Sequence, residues 1–197
     1  LHETIPDFHN TVQRFETFVR VIKEDPCNRV REVKKEIDFV LQRADQTSIL
    51  VDLIDQGRLP IRVTHNDTKF NNVMIDDETG EGICVIDLDT VMPGSLLYDF
   101  GDAIRSIANT AAEDERDISN VNLSLETFEN YTQGYLDTTL DTLTQTEIQH
   151  LAFSAILMTL ECGLRFLGDY IAGDIYFRTT RQHHNLDRCR TQLKLVK

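Results

Sequence analysis

The chain has 197 residues, 41% of them hydrophobic and 27% charged, with 33 acidic side chains against 20 basic ones and a formal charge of −13. Such a length suits one domain with a sizeable core, and no apolar run or leading segment reads as a membrane span or a signal. The acidic balance makes nucleic acid and anionic membranes poor partners, and suits recruitment of divalent cations or a solvated acidic surface.

The first third reads as helix. Phe8, Val12, Phe15, Val19 and Ile22 fall at helical spacing, and so do Val30, Val33, Ile37, Val40 and Leu41. Pro26 separates the two runs, with Asn28 as the expected N-cap of the second. A shorter helix is expected over residues 47–55, ending near Gly57 and Pro60. Before Gly80, Gly57 is the only glycine, so no phosphate-cradling glycine loop fits there.

Residues 61–64 read as a short strand leading into the polar loop His65-Asn66-Asp67-Thr68-Lys69-Phe70-Asn71-Asn72. Two apolar runs follow, Val73 to Ile75 and Ile83 to Ile86, around the turn-forming segment 76–82, which predicts a β-hairpin. The remainder returns to helix over residues 96–108, around Phe128, Tyr131 and Tyr135, over 148–171, and over 181–196. Residues 113–122 are expected to form a solvated loop, and His183 and His184 to lie on the surface. Cys84 and Cys162 lie in apolar stretches and read as small core residues. The four cysteines form neither a CxxC pair nor a cluster with histidine, which argues against a disulfide framework and for a reducing, cytoplasmic setting. The fold class is α+β, predominantly α-helical, a single domain over residues 1–197 with one small hairpin.

The ends of the hairpin carry the chemistry. Asn72 precedes the first strand and Asp87 follows the second, so antiparallel pairing brings an amide oxygen and a carboxylate together, with Asp67 approaching from the preceding loop. Hard oxygen ligands without histidine or thiol suit Mg²⁺. A carboxylate beside the metal, but not bound to it, is placed to take a proton from a hydroxyl.

The pattern His65-x-Asp67-x-x-x-x-Asn72 followed by Ile86-Asp87 resembles the catalytic loop and metal-binding segment of the protein-kinase-like superfamily. It is more closely similar to the aminoglycoside phosphotransferase branch. The wording of residues 65–74 and 85–94, with Glu161 to Leu167 and Asp169 to Phe177, resembles the N-acetylhexosamine 1-kinases of that branch. The resemblance implies the C-terminal lobe of such a kinase, with ATP as co-substrate and Mg²⁺ as cofactor. It implies Asp67 as the base and Lys69 as a catalytic lysine near the γ-phosphate. Asn72 and Asp87 would be metal ligands, with Asp89 near metal or sugar. Asp67, Arg165 and Tyr176 would contact an N-acetylhexosamine, while His65 and Asp99 would support the loop. Such kinases carry an N-terminal lobe with a twisted sheet and a lysine, and nothing before Ile61 reads as one. The expectation is therefore a lobe that folds but transfers no phosphate without that partner lobe in cis.

Several alternatives stay open. Asp67 and Asn72 also suit an ordinary turn. Arg165 also suits an ion pair with Glu161 one helical turn away, Tyr176 a core aromatic, and Lys69 a solvated side chain. Another acceptor such as an aminoglycoside, a pseudokinase binding module, and a haloacid-dehalogenase-type phosphatase built on Asp87 and Asp89 are the rival functions.

Overall fold

The computed structural model describes every residue from Leu1 to Lys197. Helix α1 (Thr11–Glu24) starts where the Asn10 side chain accepts from the Gln13 N–H, at 3.2 Å. Its buried face carries Thr11 and Phe18, flanked by Phe15 and Ile22, and Phe8 precedes the helix. The face is thus rotated from the stripe expected through Val12 and Val19. Thr11 can be buried because its hydroxyl donates to the Thr47 carbonyl at 2.5 Å.

A 3₁₀ turn, Val30–Glu32, leads into α2 (Lys34–Leu41), which buries Ile37 and Val40. Asn28 does not cap it. That residue turns at φ 56°, while the Asp25 carboxylate accepts from the N–H groups of Arg29 (2.8 Å) and Val30 (3.1 Å). Helix α3 (Ile49–Asp55) then precedes strand β1 (Arg62–Thr64).

The hairpin forms from β2 (Val73–Ile75) and β3 (Gly82–Val85), with Val73 opposite Val85 and a register irregularity at Met74/Ile75. Strand β4 (Met92–Gly94) pairs antiparallel with β1. Its central Pro93 hid it from a pattern reading, since proline is tolerated only at an edge, and both strands of a two-stranded ribbon are edges. All the pairing is antiparallel, which removes the parallel sheet that the phosphatase alternative requires.

The helical body comprises α4 (Leu96–Ile107), α5 (Leu125–Thr139), α6 (Gln145–Ala172) and α7 (His184–Leu195). Helix α6 begins before the apolar run because Thr144 and Glu147 close a capping box. Buried Glu147 also takes Arg62 at 2.9 Å, tying β1 to the start of α6. By length and composition α6 could cross a membrane, contrary to the expectation of no such run, but 67% of its most apolar window is buried inside the fold. It is the core helix.

Two apolar clusters meet along α6. One packs Leu160, Leu164 and Leu167 against Phe18, Val33, Ile37, Leu186 and Leu193. The other packs Leu151, Leu157 and Met158 against Leu50, Leu97, Phe100 and Ile104. Each such buried side chain contributes roughly 1.5–3 kcal/mol. Gly101 sets the approach of α4 to α6, since a Cβ there would stand 2.5 Å from the Ser154 carbonyl oxygen.

Two expected placements, those of Cys84 and His184, are corrected. Cys84 is exposed because the hairpin has no layer packed over it, whereas Cys162 packs against the core as expected. His184 is buried, with Nε2 3.1 Å from Asp114, because α7 lies against the 113–115 segment. The 113–122 segment is a largely exposed loop, as expected, although Glu113 meets Arg105 and Arg188, and Asp114 meets Arg181.

Candidate active site

The His65–Asn72 loop is held chiefly by one carboxylate. Asp99, in the first turn of α4, accepts from the N–H groups of His65 (2.8 Å) and Asn66 (2.7 Å), while its carbonyl takes the Thr68 hydroxyl at 2.6 Å. Burial raises the Asp99 pKa, against the lowering influence of those two N–H groups. Asn66 turns at φ 64°, a left-handed conformation that asparagine tolerates, and its side-chain N–H₂ donates to the Thr90 carbonyl at 3.0 Å. His65 joins the loop to the hairpin's end. Its Nδ1 accepts from the Asp67 N–H at 3.3 Å, so Nε2 carries the proton and donates to the Ile86 carbonyl at 2.9 Å.

Asp67 and Asn72 are in contact. The Asn72 amide donates to the Asp67 carbonyl (2.8 Å) and to its Oδ2 (3.1 Å), and Lys69 Nζ lies 2.8 Å from the same Oδ2. Both donor positions of the Asn72 amide are spent on Asp67, so its Oδ1 is left to accept or to ligate. The Ile86 N–H donates to the Asn72 carbonyl at 2.9 Å, which closes the base of the hairpin and brings Asp87 beside Asn72 along the chain. Asp87 sits at φ 61°, exposed, with no capping bond from its carboxylate. Asp89 is exposed in the following 3₁₀ turn, Leu88–Thr90. The acidic groups are not gathered into a closed cluster of three protein ligands. An amide oxygen and one or two carboxylates are nonetheless what Mg²⁺ takes when phosphates and water complete its shell. The donor set fits that ion.

Asp67 and Lys69 also line a cavity of about 500 Å³, together with Arg165, Tyr176 and Phe177. The structure thus gathers Asp67, Lys69, Arg165 and Tyr176 at one cavity. Arg165 lies 3.8 Å from Glu161, the ion pair its spacing suggested, and its guanidinium is 6.0 Å from the Tyr176 ring and 5.5 Å from the Phe177 ring. Tyr176 is no core aromatic: it is 70% exposed. Its position is set by Asp169, whose carboxylate accepts from the N–H groups of Ile175, Tyr176 and Phe177 at 2.8–3.0 Å.

The sequence model of the phosphotransferase enzyme family (APH) matches residues 2–135. The chain belongs to that family. The match takes in the loop, the hairpin, α4 and most of α5. It ends before α6, so Arg165 and Tyr176 lie beyond it. For a phosphotransferase the arrangement is serviceable: a carboxylate flanked by a cation at a cavity's edge, with hard oxygen donors one loop-width away.

Several residues at this phosphotransferase site were not singled out in the sequence. His9 is buried between Glu161 Oε1 (3.0 Å) and the Asn66 carbonyl (2.9 Å). Burial alone would lower its pKa, and the Glu161 carboxylate more than offsets this, so the pKa is raised. Burial likewise pushes the Glu161 carboxyl up, but His9 and Arg165 outweigh it and the pKa is lowered. Asp102 and Arg105 pair at 2.7 Å within the wall. Their i,i+3 spacing on an otherwise apolar helix was the one sequence signal available. His9 offered none, because its partner lies 152 residues away.

Proposed function

We propose that this phosphotransferase transfers the γ-phosphate of ATP to the anomeric hydroxyl of an N-acetylhexosamine, such as GlcNAc or GalNAc, with the 197 residues acting as its kinase-like catalytic lobe. The observation that carries the reading is Asp67. It stands at the edge of a cavity while Asn72 and Lys69 both engage its Oδ2, which leaves Oδ1 without a partner in the chain. A hydroxyl entering the cavity can donate its hydrogen bond to Asp67 and pass its proton there as the bond to phosphorus forms. The Lys69 charge opposes dispersal of negative charge from this pair and would stabilise phosphate oxygens drawn beside it.

Phosphotransferases of this kind generally use ATP and Mg²⁺. Asn72 and Asp87 would hold the metal, with Asp89 close by. When bound, Mg²⁺ would neutralise charge on the transferring phosphoryl group. Asp99 and His65 serve by position, since they fix the backbone that aims Asp67. The N-acetylhexosamine assignment is supported by the sequence resemblance of residues 161–177, where Arg165 and Tyr176 meet the cavity.

The test offers the full-length protein ATP, Mg²⁺ and either GlcNAc, GalNAc or an aminoglycoside panel. Sugar 1-phosphate should form. In Asp67→Ala the rate should fall by about 10²-fold or more while Mg-nucleotide binding persists. An unchanged rate removes Asp67 as the base, and phosphorylation of the panel alone removes the hexosamine.

A further inference from the structure

The cavity beside Asp67 has a charge balance opposite to that of the chain. Lys69, Arg105, Arg165, Arg178 and Arg188 line it against only four carboxylates, in a protein of formal charge −13. Each carboxylate is already matched within the wall: Asp67 by Lys69 at 2.8 Å, and Asp102 by Arg105 at 2.7 Å. Glu113 lies 3.4 Å from Arg105 and 3.5 Å from Arg188. Glu161 faces His9 at 3.0 Å and Arg165 at 3.8 Å. His9 adds a further cation, for both its ring nitrogens face atoms that only accept, Glu161 Oε1 and the Asn66 carbonyl. Arg178 stands on the exposed rim, and its backbone carbonyl takes the Arg188 guanidinium at 3.2 Å. No carboxylate pairs with its own side chain.

We propose that this cavity selects an acceptor without positive charge and rejects polycations, with Arg165, Arg178 and Arg188 as the residues that discriminate. The inference rests on the reading of the cavity as the acceptor site. A polyamine entering would meet like charge, and the carboxylates that could compensate are held by their own partners. Hydrogen bonding points the same way. Asp102 Oδ2 and Glu161 Oε2 are buried without a hydrogen-bond partner, and so is Arg188 Nε. Such groups are costly to leave unmet. A hydroxyl can donate to a carboxylate and accept from a guanidinium, whereas an ammonium group can only donate. A neutral polyhydroxylated molecule therefore complements both halves of this wall at every polar group it presents, whereas each ammonium group of an aminoglycoside complements only the carboxylates.

The experiment is calorimetric titration of the full-length protein with GlcNAc and with kanamycin at low salt, repeated for Arg178→Glu and Arg178→Gln. GlcNAc should bind at least about tenfold more tightly than kanamycin, with charge reversal at the rim narrowing that gap several-fold and the glutamine variant lying between. Kanamycin binding as tight as GlcNAc, a ratio unmoved by Arg178→Glu, or binding of neither probe overturns the proposal. GlcNAc binding with the predicted ratio but without phosphate transfer would break the kinase reading and leave charge selection standing. Preferred phosphate transfer to kanamycin would do the reverse.

Discussion

From His65 to Asn72 the chain is held from several directions. Asp99 takes two backbone N–H groups, Thr90 donates its hydroxyl to the His65 carbonyl at 2.7 Å, and His9 reaches the Asn66 carbonyl from the other end of the chain. The hairpin that follows has little beyond its own ladder, and Met74, Ile83 and Val85 stand in the open at 51%, 62% and 52% exposure. Both segments carry groups assigned to one reaction, yet one is fixed by the helical body and the other is anchored mainly at its base. Asp67, the proposed base, stands on the segment that the helical body holds. The proposed metal ligand Asp87 hangs from the freer segment, where phosphates and a cation would complete its surroundings.

That contrast can be broken at its stronger end first. Asp99→Ala should cost about 2–4 kcal/mol, because it strips two loop N–H groups of their acceptor, and thermal melts together with phosphotransfer rates would show it. A loss below 0.5 kcal/mol, on the order of an ordinary surface change, would mean that the loop is held by something else.

His9 sharpens the same point through pH. Its imidazole pKa is raised in the folded chain above the ordinary 6.5, so in that window the native state holds more protons than the unfolded one. Stability should therefore be complete below about 6.5 and fall as pH rises through the folded value. Glu161, the carboxylate that His9 faces, has a lowered pKa and matters only in acid. Melting temperatures at mildly acidic and alkaline pH should differ by a few degrees, and His9→Gln should flatten the difference. A slope that survives His9→Gln would assign it elsewhere.

The smallest effect belongs to the hairpin. Ile83→Ser should change stability by no more than about 0.5 kcal/mol, since its side chain packs against nothing that the change would uncover. A larger loss, read by chemical denaturation, would show that the ribbon is braced after all.

The same division explains what could be read from the sequence. The hairpin was legible because two short apolar runs flank an Asp- and Gly-rich turn, and the core helix because its apolar run is long. The position of Asp99 at a helix start was legible too. Its hold on the loop more than thirty residues away was implied only by the family resemblance, because nothing local encodes it. β4 was hidden by Pro93, and the true face of α1 by a buried threonine whose partner is Thr47. The cavity wall was the least visible. His9, Glu113 and Arg188 look like ordinary surface polar residues until separate segments converge, and only the Asp102–Arg105 spacing gave a local sign.

The bond from the Ile86 amide to the Asn72 carbonyl, with Val73 facing Val85 just above it, means that the spacing of the two hairpin ends is set at the foot of the ribbon rather than along it. Residues added or removed at the distal turn, beyond the irregularity at Met74/Ile75, are absorbed there. A slip of a single position at the foot would send Asp87 to the opposite side of the strand. Evolution and protein engineers thus have unequal freedom in one short ribbon: wide latitude at its tip, and none at its root.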